Sequence, residues 1–167
     1  MYKIEDVVVY GLHGVCRITE ITEKEFAGES HLYYTMHPVF NDRSTFFVPA
    51  DNEKSKVKVR DLLSVEEVHT LILSMPSQEE IEIINEKQRK DIYKSIVESG
   101  DRVRISRLIK TIYLRNKARE QEGKKQHLID ERFMRDAEAV LFDEFAYVLS
   151  IDRDKVTDYI REKLNQR

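Results

Sequence analysis

The feature that most constrains this 167-residue chain is a single change of hydrophobic rhythm at Ser64. Before it, apolar residues alternate with polar ones or run in short β-branched stretches broken by turn residues; after it, they recur three and four residues apart, the spacing of one helix face. Strands therefore come first and helices second, which selects an α+β fold of two successive modules, residues 1–63 and 64–167.

Within the first module, "VVVYGLHGVCRITEI" (Val7 to Ile21) reads as two strands joined by Gly11-Leu12-His13-Gly14. Val15, Arg17, Thr19 and Ile21 alternate sides as a half-buried strand requires, and Gly11 and Gly14 accept the positive φ of a tight reversal. Ala27-Gly28-Glu29 is a second turn, between strands at Arg17–Phe26 and His31–Val39. "FNDRST" then leads into the short strand of "TFFVPADN", closed by Pro49 and an Asp51-Asn52 turn. Four or five short antiparallel strands predict a small, strongly bent sheet or SH3-like barrel around Val8, Val15, Ile18, Ile21, Tyr34, Phe47 and Val48.

In the second module, Ser64/Glu67 and Ser77/Glu80 both fit the S-x-x-E capping box, predicting helices over about Val65–Ser74 and Gln78–Glu98, the second stopped by Ser99-Gly100. Asp101 caps a third helix with an apolar stripe of Ile105, Leu108, Ile109, Ile112 and Tyr113. A fourth helix spans Ile129 to about Leu149, and a fifth Asp152 to Leu164.

Several chemistries find no support. The five histidines (His13, His31, His37, His69, His127) lack metal-ligand spacing, no glycine loop could cradle a phosphate, and no nucleophile elbow is present. Carboxylate pairs such as Glu66-Glu67 and Glu79-Glu80 fall in first helical turns, where the helix dipole favours negative charge. The expectation is therefore a protein that is not an enzyme, with no cofactor and no metal. The one cysteine, Cys16, reads as a small buried apolar residue. No apolar run reaches the ~18 residues of a membrane span, and "MYKIEDVVVY" lacks the layout of a signal peptide, so a cytoplasmic location is expected.

Charge is unevenly spread. Net charge is −3, yet residues 86–125 hold 13 basic and six acidic side chains. Those basic residues could be the solvated faces of two helices. Their i, i+4 acidic partners are sparse, however, so a continuous positive face for a polyanion is expected. Without helix-turn-helix or zinc-finger spacing, that face suits DNA phosphates instead of base edges.

Five pieces in order carry a family resemblance. "VVVYGLHGVCRITEI", "TFFVPADN", "RDLLSVEEV", "SGD" and "DERFM" with "AVLFDEFA" resemble the CarD/CdnL family of bacterial RNA polymerase-binding transcription regulators. The resemblance implies a Tudor-like N-terminal domain that docks on the polymerase β subunit and a helical domain that contacts promoter double-stranded DNA near the upstream edge of the bubble. Open-complex stability would change as a result. It implies polymerase contacts at Lys24, Arg43, Phe46 and Phe47. DNA contacts are expected at Lys87, Arg89, Lys90, Arg102, Arg104, Arg107 and Arg132, the last from the "DERFM" match. Two departures stand out. Relatives commonly wedge a tryptophan into the minor groove at the position of Asn85 or Glu86, and this chain has none. Some relatives have arginine where Phe47 stands. The alternative reading is a polymerase-bound adaptor whose helical domain recruits another protein.

Overall fold

The computed structural model describes every residue except Asp42, Asn52, Lys54, Lys56 and Arg167, so the expected Asp51-Asn52 turn lies outside the described residues at Asn52. The chain forms two compact units, Met1–Leu62 and Leu63–Arg167.

The first unit is an antiparallel sheet of β1 (Val7–Tyr10), β2 (Val15–Phe26), β3 (Glu29–Pro38), β4 (Phe46–Pro49) and β5 (Val59–Arg60), in the order β4-β3-β2-β1-β5. Gly11–His13 makes one 3-10 turn, and Gly14 follows at φ 74°. The β2–β3 hairpin closes on two residues, Ala27 and Gly28, both at positive φ, which matches the twist of the flanking strands.

Strict alternation along β2 does not hold. A bulge between Ile18 and Glu20 inserts one extra residue, so Ile21 returns to the face of Cys16 and Ile18, opposite Tyr34 and Met36. Those residues, with Val8, Val48 and Val59, form the core. Burial pushes the Cys16 thiol up to about 12, which keeps it a neutral packing group. Expected core residue Phe47 is on the other face and 56% exposed, because Val48 takes the inward position on β4.

The sheet is curled. Tyr10 on β1 and Phe46 on β4 are three strand spacings apart in sheet order, about 14 Å if flat. Their rings lie 5.5 Å apart, with the His13 ring 4.3 Å from Phe46. His13 thus serves the turn as an aromatic packing residue, and desolvation lowers its pKa.

The second unit contains α1 (Val65–Ser74), α2 (Arg89–Ser99), α3 (Arg102–Gln121), α4 (Leu128–Leu149) and α5 (Val156–Asn165). The Ser64/Glu67 capping box is present, Gly100 ends α2 in a left-handed conformation, and Asp101 caps α3. Tyr93, Ile96, Ile105, Leu108, Ile112, Phe133, Leu141, Phe145 and Val156 belong to one core, whereas Tyr113 is 43% exposed.

The expected helix from Gln78 is corrected to α2 alone, preceded by a 3-10 turn at Glu86–Gln88. Ser77 already belongs to a 3-10 turn that finishes α1, where its hydroxyl donates to Ser74, so it caps nothing downstream. Residues 78–84 instead form a non-helical strap tied to α3. The Ile81 amide donates to Thr111 Oγ1 at 2.8 Å, Arg107 Nε donates to the Glu79 carbonyl at 2.8 Å, and Lys110 Nζ donates to the Gln78 carbonyl. These bonds satisfy strap groups that a helix would have satisfied internally.

Candidate functional site

Parity assigns the face of the first unit opposite its core. Beyond the bulge, Thr22, Lys24 and Phe26 of β2 stand opposite Tyr33, His31 and Glu29 of β3, while Phe47 of β4 stands opposite Thr35. Lys24 Nζ lies 3.9 Å from the centre of the Phe47 ring and 5.8 Å from that of Tyr33. Phe26 stacks edge-on with Tyr33 at 5.8 Å. Two large rings, Phe26 and Phe47, are more than half exposed on one small sheet face beside a cation. Such a cluster is a candidate anchor set, since exposed aromatic area is removed from water only when something covers it. A cleft of about 930 Å³ at the hairpin end is lined by Phe26, His31, Tyr33 and Pro49 among others.

Of the four residues expected to meet polymerase, Lys24 and Phe47 share this face. Arg43 is exposed in the loop before β4, with its backbone N–H directed to the Asn41 side chain. Phe46 is corrected to an inner residue, because it points toward the core and packs on Tyr10 and His13. Phe26 and Tyr33 escaped the sequence reading. The two-residue hairpin would have revealed them, since its register fixes which β2 and β3 side chains share a face.

The basic region of the second unit divides into used and available charges. Arg89 is buried at 7% exposure, with Nη1 3.5 Å from Asp130 and Nε 3.3 Å from Glu86. Arg102 grips Glu144 with two bonds of 2.8 and 2.7 Å. Glu144 is itself buried and also accepts the Leu63 amide. Arg107 holds the strap. These three expected DNA residues are corrected to internal roles; apart from Glu86, three residues before Arg89, their acceptors lie outside the 86–125 segment, beyond the reach of i, i+4 counting.

Lys87, Lys90, Arg104 and Arg132 are exposed. Lys87, Lys90 and Lys94 recur at i, i+3 and i+7 through the 3-10 turn and α2, exposed along the edge of the buried stripe of Arg89, Tyr93, Ile96 and Val97. Arg104 sits in the first turn of α3 and Arg132 just beyond the first turn of α4. Just before the lysine row, Ile84 at the end of the strap is 90% exposed.

Beneath the row lies a charge network. Asp130, fully buried, receives Arg115 Nε at 3.4 Å, and Glu86 bridges Arg115 and Arg89 at 3.5 and 3.3 Å. Desolvation is the strongest single influence on Arg115 and works to lower its pKa, but Asp130, Tyr93 and Glu86 together outweigh it and raise it. Burial, together with the Asp130 carboxylate, pushes the Tyr93 phenol up to about 12.

Among the described residues no group of three or more His, Cys, Asp or Glu could hold a metal ion, and no helix is long and apolar enough to cross a membrane. The first unit is a small curled β module with an exposed aromatic face. Residues 2–63 match the family model of the CarD-like/TRCF RID domain. The match covers the N-terminal unit and supports an RNA polymerase-interacting protein, consistent with the CarD/CdnL resemblance.

Proposed function

We propose that this protein is a transcription regulator that binds the β subunit of RNA polymerase through Lys24, Phe47 and their aromatic neighbours, with Arg43 at the rim. Its helical unit holds promoter DNA near the upstream edge of the bubble through Lys87, Lys90, Arg104 and Arg132. The observation that carries the DNA half is the outward lysine row beside the exposed Ile84. Lysines at this spacing meet successive phosphates, and each neutralised phosphate releases counterions. An isoleucine is among the apolar side chains that wedge between base steps, and Ile84 lies next to the position of the family's tryptophan. A contact made only at the fork stabilises the open state by its differential affinity for that state.

The test is a fluorescence assay of open-complex formation by the cognate polymerase at two salt concentrations. The protein should raise the open population, less so at high salt, and Ile84→Ser should reduce the rise. No change, with polymerase binding confirmed separately, overturns the reading.

The adaptor reading has its own observation, an apolar cleft of about 350 Å³ lined by residues including Ile109, Tyr113, Leu114, Ile160 and Leu164. Charge reversal at Lys87 and Lys90 separates the two. It abolishes the promoter effect if DNA is the ligand and leaves it intact if a protein in the cleft is.

A further inference from the structure

The network of Glu86, Arg89, Asp130 and Arg115 joins four elements: the 3-10 turn that carries Lys87, the start of α2, α3, and the N-terminal end of α4, where Arg132 follows Asp130 by two residues. Two acids and two bases balance in charge. Asp130 is 0% exposed and Arg89 7%, whereas Glu86, at the surface end, keeps 63% of its side chain exposed. All four contacts measure 3.3 to 3.5 Å. Arg89 Nε and Nη1 and Asp130 Oδ1 are buried without a hydrogen bond of good geometry. So open an arrangement is poor glue for a core, because desolvating ions is costly unless hydrogen bonds are well made. It does fix direction, since a buried arginine has few places to put its charge other than between Asp130 and Glu86.

We infer that Asp130 and Glu86 are positioning residues for DNA: through Arg89 and Arg115 they lock the Asn85–Gln88 turn against α4, so that Lys87 and Arg132 are presented as one rigid phosphate-binding unit. This rests on the DNA reading above. It assigns an acid, Glu86, a favourable part in binding a polyanion, the reverse of what its charge alone would do.

That reversal of sign makes the inference testable. Asp91 is an exposed acid in the first turn of α2 and is outside the network, so it serves as the control. The 167-residue chain is titrated with a fluorescent DNA duplex containing a short unpaired bubble. Asp91→Asn removes a repulsive charge and should tighten binding about twofold. Glu86→Gln removes the same charge but frees the turn. It should weaken binding by about threefold or more, and Lys87 and Arg89 amide exchange should speed up. Asp130→Asn should act in the same direction; if it does not fold, Glu86→Gln, at the exposed end, decides alone. Tighter binding by Glu86→Gln, equal to that of Asp91→Asn and with amide exchange unchanged, overturns the inference while leaving the DNA reading standing. Wild-type protein that does not bind the bubble DNA removes both.

Discussion

The two units hold together by opposite means. In the first, the buried polar side chains among the described residues are Thr35 and Ser55, and specification comes from the backbone ladder, the bulge and a two-residue hairpin. In the second, Arg89, Asp130 and Glu144 are buried alongside the apolar core, and charged side chains tie helices and strap to one another. Strand parity alone places a side chain on a face, whereas helix periodicity places it on a stripe and leaves its partner to tertiary structure. Charges near the sheet therefore remain on the surface, and many charges in the helical unit are consumed internally.

The sharpest way to break this contrast is Glu144→Ala. Losing the carboxylate strands the partly buried Arg102 and the Leu63 amide, and the helical unit should lose about 3–5 kcal/mol, read by urea denaturation followed at the helical circular-dichroism band. Phe47→Ala in the first unit should change stability by less than about 0.5 kcal/mol while weakening polymerase binding. A comparable loss of stability in both variants would erase the distinction.

Backbone geometry should matter more in the sheet. Gly11 sits at φ 46°, and a Cβ there would overlap the Val57 side chain. Gly11→Ala should cost about 1–3 kcal/mol, whereas Gly123→Ala, also at positive φ but in open space, should cost less. Thermal melting of the two variants makes the comparison; equal losses would mean that the turn is not tightly packed.

The smallest effect is a difference in acid response. Burial lowers the His13 pKa, so the unfolded chain binds its proton first, and the sheet loses stability as pH falls through about 6.5. Burial raises Glu138 and Asp143 despite the nearby Arg153, so in the helical unit folding favours their protonated forms. Their contribution improves as pH falls through the raised values toward the ordinary carboxylate range. Histidine and carboxyl NMR titrations should shift in these opposite senses, and His13→Gln should flatten the sheet's response near pH 6.

How far the sequence could be read follows the same division. The hairpins, the Ser64 cap and the Gly100 stop were legible because each is a local signal within a few residues. The bulge at Ile18–Glu20 was not, since an inserted residue leaves no mark on composition. The strap reads as helix in sequence because its stabilising partners, Thr111, Arg107 and Lys110, lie 27 to 32 residues away. Lys24 and Phe47 both read as contact residues, yet Phe47 also reads as core because the hidden bulge and strand pairing decide its face; Arg89 and Arg102 read as surface because their acids, Asp130 and Glu144, lie far along the chain.

The strap has a consequence for change by mutation. Arg107 and Lys110 grasp its carbonyl oxygens and not its carboxylates, so the tether is indifferent to which side chains residues 79, 80 and 82 carry. Those positions can exchange acid for neutral or base without loosening the helical unit. The strap ends at Ile84, beside the lysine row, which makes it a strip where the protein's preference for a nucleic-acid or protein surface can drift while the fold stays still.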